Sequence, residues 1–223
     1  MACTLEVPFV DLPRQFVGLE SDFISAFSKI GRSGSYILGP EVEQFEEAIA
    51  DYCGVKHAIG VGDGSAALFL PLKALGIGDG DEVVTAANSF IASAWVIAAA
   101  GATPVLTDVS DDLNMCATSL VSAISPRTRA IMPVHLAGRP ADMDVITSIA
   151  TEAGIPIIED AAQAIGARYN GKQVGSLGLA AGFSLHPLKN LGVYGDGGFI
   201  TTNDDALADK VRLLRNHGLK SRD

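Results

Sequence analysis

The chain has 223 residues, 48% of them hydrophobic and 19% charged, a balance that describes a globular protein with a sizeable core and excludes a disordered one. A formal net charge of −10 argues against a binder of phosphate backbones, because affinity for nucleic acid rests on Lys and Arg neutralising phosphates. The length fits one large α/β domain or two small ones.

The N-terminus, Met1-Ala2-Cys3-Thr4-Leu5-Glu6-Val7-Pro8, lacks the basic start and long apolar core of a signal peptide. Phe16, Leu19, Phe23, Phe27 and Ile30 then recur at helical spacing, and Gly31 and Gly34 are read as the stop of that helix. Pro40 suits a first helical turn, and Val42, Phe45, Ile49 and Tyr52 form a second stripe. From residue 55 the pattern alternates between strand and helix. Strands are expected at 55–61, 82–86, 103–108, 130–134, 155–159, 183–184 and 199–201. Helices are expected through Leu68, Leu72 and Leu75, and at 89–100, 118–124, 143–153 and 204–216, the last with Asp204 near its N-cap. This alternation predicts an α/β fold, a mostly parallel central sheet with helices on both faces.

Cys3, Cys53 and Cys116 are odd in number and form no CxxC pair, which speaks against disulfides and thiolate metal sites. With only four His as well, no metal site is expected. The most apolar window, 90–102, carries Ser93 and Gly101 and falls short of the ~20 residues a membrane span needs. A cytoplasmic protein without a membrane partner is the resulting expectation.

Ligands of such sheets bind at the carboxyl ends of strands, which directs attention to Gly62–Ser65, Asn88–Phe90, His135 and Asp160. Gly62-Asp63-Gly64-Ser65-Ala66 joins a strand to a helix, where free N–H groups and the helix dipole favour a phosphate. The same loop also reads as a Gly-rich turn with Ser65 as N-cap. It has neither GxGxxG nor a Walker lysine, so Rossmann and P-loop readings fail. Phe90 is either an aromatic placed to lie on a planar ring or an ordinary core residue. His135 either lines a pocket or is a satisfied structural histidine.

Asp160 ends the apolar run Ile157-Ile158-Glu159, and Lys189 follows in the Pro-marked turn His186-Pro187-Leu188-Lys189-Asn190. An Asp that pairs with a ring nitrogen and a Lys that forms an imine are the two groups that pyridoxal 5'-phosphate (PLP) chemistry demands. Against this stand an N-capping role for Asp160 and plain surface exposure for Lys189. Gln163 stands three residues beyond Asp160, where it would contact the cofactor's ring hydroxyl or stack beside it, and Ser184 precedes the lysine turn as a second hydroxyl for the phosphate. No G-x-S-x-G elbow supports a serine hydrolase.

The order of these motifs resembles the DegT/DnrJ/EryC1/StrS family, PLP-dependent sugar aminotransferases of fold type I. The resemblance rests on Gly64-Ser65-Ala66-Ala67-Leu68, Gly78-Asp79-Gly80-Asp81-Glu82-Val83, Ala100-Gly101-Ala102-Thr103-Pro104-Val105, and Val134-His135-Leu136 with Pro140-Ala141-Asp142-Met143-Asp144. It continues through Glu159-Asp160-Ala161-Ala162-Gln163, Phe183-Ser184 with Lys189-Asn190-Leu191, and Gly195-Asp196-Gly197-Gly198. It implies Lys189 as imine-forming lysine and proton carrier, Asp160 as partner of the pyridine nitrogen, Gln163 beside the ring and Phe90 stacked on it. It implies Gly64, Ser65, the N–H of Ala66, and Ser184 as the phosphate cradle.

The implied reaction moves an amino group from glutamate to a keto group of a nucleotide-linked sugar, in a homodimer. Gly62-Asp63, Ile165 and Asp196 depart from the usual family wording. By the resemblance, residues 1–54 form an N-terminal helical segment and 55–216 the PLP-binding large domain. Residues 217–223 then begin the connection to a C-terminal domain that the chain lacks. The alternative to an active transaminase is a non-catalytic PLP-binding fragment, or a subunit requiring a complementing chain.

Overall fold

In a computed structural model of the chain, residues 7–220 are described. The reading of the leader and of Cys3 lies outside them, as do the last three residues. The chain divides into two compact units, one up to Gln44 and one from Phe45 onward.

In the first unit, the single helix expected across the Phe16–Ile30 stripe is two: α1 (Leu12–Val17) and α2 (Glu20–Ser33). Gly18 caps α1, whose Pro13 sits in the first turn beside the Asp11 N-cap. Gly31 lies inside α2, and Gly34 alone stops it, in the left-handed conformation (φ 71°) that a residue without a Cβ adopts at little strain. Phe23, Ile24 and Phe27 of α2 remain exposed.

The second unit takes in the end of α3 (Pro40–Cys53) and then builds a sheet. Its strands and helices run β1 (His57–Val61), α4 (Gly64–Ala74), β2 (Glu82–Ala86), α5 (Ile91–Ala99), β3 (Thr103–Thr107) and α6 (Ala117–Ala123). They continue with β4 (Thr128–Met132), α7 (Met143–Ala153), β5 (Ile158–Asp160), β6 (Arg168–Tyr169), β7 (Lys172–Gln173), β8 (Ala180–Ser184), β9 (Gly198–Thr202) and α8 (Asp205–Arg215). The strands β3-β2-β4 are parallel, and so are β5 and β8. Parallel bridges Ile131–Ile157 and Val134–Asp160 join β4 to β5, giving the continuous order β1-β9-β8-β5-β4-β2-β3. Only β9 runs against the rest, paired antiparallel to both β1 and β8. The sheet is therefore mostly parallel, as expected, with one reversed strand that periodicity does not reveal.

Burial on both faces explains the apolar runs of the central strands: Val83, Val84, Ala130, Ile131, Ile158, Phe199 and Ile200 are all buried. On one side Leu68 and Leu72 of α4 pack with Val96 and Ile97 of α5. Elsewhere Ile49 and Cys53 pack with Phe183 and Phe199, whose rings stack at 4.4 Å. The short hairpin β6–β7 was not expected from the sequence. Its turn is Asn170-Gly171, both at positive φ, the pairing that a two-residue hairpin loop favours.

Candidate active site

At the carboxyl ends of β1, β4, β5 and β8 the second unit opens a cleft of about 520 Å³, lined by Gly64, Ser65, Phe90, Asp160, Gln163, Ser184 and Lys189 among others. Seven of the eight expected site residues thus meet in one place. The eighth, Ala66, is not on the lining.

The helix start of α4 forms one wall. Its N-cap is Asp63 rather than Ser65, and the Asp63 carboxylate accepts the N–H of Ala66 at 2.7 Å. Gly64 is pressed against β8 so closely that a Cβ there would lie 2.7 Å from the Ser184 Cβ. Only glycine lets the first helical turn and the Ser184 hydroxyl approach one another. Ser184 Oγ accepts the His186 N–H at 3.3 Å, which leaves its own proton free to be donated.

Asp160, at the tip of β5, is 5% exposed. Its Oδ2 accepts from the Ser93 hydroxyl at 2.6 Å and its Oδ1 from the Ala162 N–H at 3.2 Å. Burial pushes the Asp160 carboxyl above the usual carboxylate range, while Ser93, the Ala162 N–H and the charge of Lys189 pull it down. The carboxyl faces a cleft that also holds Lys189, in the turn closed by the Lys189 N–H to the His186 carbonyl at 2.8 Å. Ser93 is a residue that site reasoning missed. Its signal was a hydroxyl inside the most apolar helical window.

Gln163 is oriented by a donor that fixes its amide. Its Oε1 accepts the Ala137 N–H at 2.7 Å, so the Nε2 amino group is the end left to face a ligand. Ala137 sits at φ 52°, ψ 27° in the short 3₁₀ turn Leu136–Gly138, a left-handed conformation unusual for alanine. Phe90 is 70% exposed at the cleft, which settles it as a surface ring and not a core residue.

His135 does not line the cleft. It is fully buried, with Nε2 3.0 Å from Glu159 Oε2 and Nδ1 accepting the Ala141 N–H at 3.0 Å, which places its ring proton on Nε2. Glu159 is also fully buried and accepts further bonds from the N–H groups of Gly175, Leu177 and Gly178 at 2.7–2.9 Å. Beneath Asp160, therefore, lies a saturated polar support that ties β5 to β4 and to the turn before β8. Among the described residues no group of His, Cys, Asp and Glu is arranged to hold a metal.

These features fit PLP without forcing. A protonated ring nitrogen placed at the buried carboxyl of Asp160 would relieve the penalty on its charge. The α4 start and the Ser65 and Ser184 hydroxyls offer an anion several donors, and Lys189 stands in the same cleft.

A mostly parallel seven-stranded sheet with one reversed strand, carrying this cleft at its strand ends, is the α/β fold of the fold type I transferases. The chain belongs to the DegT/DnrJ/EryC1/StrS aminotransferase family, whose profile matches residues 18–223. It is 49% identical, across 97% of its length, to a protein of Geobacillus stearothermophilus named pleiotropic regulatory protein, and covers 58% of that protein. It is 47% identical to the dTDP-3-amino-3,4,6-trideoxy-alpha-D-glucose transaminase of Streptomyces venezuelae, with 98% of this chain and 58% of that protein aligned. The crystal structure of DesV from S. venezuelae in complex with a ketimine intermediate superposes with a TM-score of 0.95 at 46% identity, over 98% of this chain and 59% of that one. The chain thus spans somewhat more than half the length of these relatives.

Proposed function

We infer that the chain is the PLP-binding part of an aminotransferase that moves an amino group from glutamate to a keto group of a nucleotide-linked sugar. The observation that carries this reading is the convergence of Asp160 and Lys189 on one cleft whose other wall is the start of α4. Its kinship with a transaminase of dTDP-linked sugars supports the substrate class.

When bound, PLP supplies an aldehyde that condenses with amines and a ring that withdraws electrons from the attached carbon. The chain's own residues do the rest. Asp160, buried and held by Ser93, would keep a proton on the ring nitrogen. Gln163 would offer its Nε2 to the ring hydroxyl, its carbonyl being held by Ala137. Gly64, Ser65 and Ser184 would seat the phosphate, and the exposed Phe90 ring would lie on the planar ring. Lys189 Nζ would take the proton from the substrate carbon and deliver it to the cofactor carbon next to the ring within the same half of the exchange, and would run that transfer in reverse in the other half.

A homodimer accords with the large apolar side chains left exposed along α5, Ile91 and Trp95. No helix of the described residues is long and apolar enough to cross a membrane. Cys53 and Cys116 are free thiols, in keeping with a cytoplasmic setting.

Adding PLP should produce a visible absorption band that is absent in Lys189→Ala. A colourless wild-type protein after PLP addition would sink the cofactor assignment. Transfer from glutamate to a dTDP-linked keto-sugar, followed by amino-sugar formation, tests the reaction separately. A coloured protein inert on every nucleotide-linked keto-sugar would remove the substrate assignment alone.

A further inference from the structure

The phosphate end of the cleft contains a residue whose charge works against its ligand. Asp63 lines the cleft beside Gly64, Ser65 and Ser184. Its carboxylate already occupies the donor of the α4 start that the family resemblance assigns to phosphate, the N–H of Ala66. The next N–H, that of Ala67, bonds to the Asp63 carbonyl at 3.1 Å. The lining includes three carboxylates, Asp63, Asp160 and Asp196, and Lys189 is its sole Lys or Arg. An anion arriving here therefore meets an internal anion already neutralising the helix dipole.

We propose that Asp63 is an affinity-setting residue of the phosphate subsite: its carboxylate competes with the cofactor's phosphate for the start of α4 and so weakens PLP binding in this chain. The proposal rests on the reading of the cleft as a PLP site. The geometry also makes the charge separable from the cap. Asn caps a helix about as well as Asp, since its side-chain oxygen accepts the same N–H. An Asp63→Asn change therefore retains the Ala66 contact while removing the charge. The repulsion acts on the phosphate and not on the ring, so pyridoxal, which has the aldehyde and ring but no phosphate, should not register it.

The test is a titration of the wild-type protein, D63N and D63S with PLP and with pyridoxal, followed by visible absorption, with thermal melting of each ligand-free protein as a check on folding. D63N should bind PLP roughly fivefold more tightly, with pyridoxal affinity unchanged and with the gain shrinking as salt is added. D63S, also a neutral cap, should move in the same direction. Unchanged or weaker PLP binding by both folded variants overturns the proposal, as does an equal gain for pyridoxal. If no protein in the series binds either aldehyde, the PLP reading itself fails, and the proposal with it.

Discussion

Asp160 is held by residues that only folding brings to it, and its ionisation leaves a measurable trace. Its carboxyl titrates above its unfolded value because burial penalises the charge. The native state then holds a proton that the unfolded state has already released, so this group's contribution to stability declines as pH rises from the ordinary carboxylate range through the raised folded pKa. Asp160→Asn, which cannot ionise, should therefore gain stability relative to the wild type over that same rise when the cofactor-free proteins are unfolded in urea across a pH series. A stability difference that stays flat with pH would contradict the burial argument. Ser93→Ala removes the hydroxyl that donates to Asp160 Oδ2. The expected loss is about 1–3 kcal/mol in the same assay, because a buried acceptor loses a partner.

Elements meet at the site through a support that lies one residue before the functional carboxylate. Glu159 accepts four hydrogen bonds from His135, Gly175, Leu177 and Gly178, and so pins the turn leading into β8. In Glu159→Gln one side-chain oxygen becomes an NH₂ group that must face N–H donors. The expected destabilisation is about 3 kcal/mol. Amide hydrogen exchange should accelerate at Gly175, Leu177 and Gly178 before it does in α4, whereas uniform acceleration would mean that Glu159 does not hold the turn specifically. Other elements show how far local pattern reaches. The α5 window was legible as a helix, but its start at Ile91 rather than Ser89 follows from Phe90 standing outside the helix as its N-cap. The α1–α2 break escaped detection because the apolar spacing continues smoothly across Gly18. The β6–β7 hairpin was available from Asn170-Gly171, though strands of two residues leave no alternation to read.

For the molecule as a whole, the unpartnered apolar surface makes the clearest demand. Ile91 is 69% and Trp95 56% exposed on consecutive turns of α5. If a second copy covers them, light scattering should report a dimer, and Ile91→Glu with Trp95→Glu should yield a folded monomer with an unchanged melting profile of the isolated subunit. A wild-type monomer at high concentration would contradict that assembly. Free Cys53 carries little reactivity under any assembly, since burial pushes its thiol to about 11.

The sequence by itself determined the alternation of strands and helices, the apolar faces that bury them, and the residue types at the strand ends. Gly64, Ser65, Asp160, Ser184 and Lys189 could be singled out because each sits at a local signal: a strand end, a Gly-rich turn or a Pro-marked turn. The tertiary structure decided which of these side chains share a cleft, the reversal of β9, the donation of Ser93 to Asp160 and the amide orientation of Gln163. It also transferred the N-cap of α4 from Ser65 to Asp63. These outcomes depend on contacts between residues far apart in sequence, which no local period encodes, because hydrogen-bond partners are assigned by the packing of whole elements.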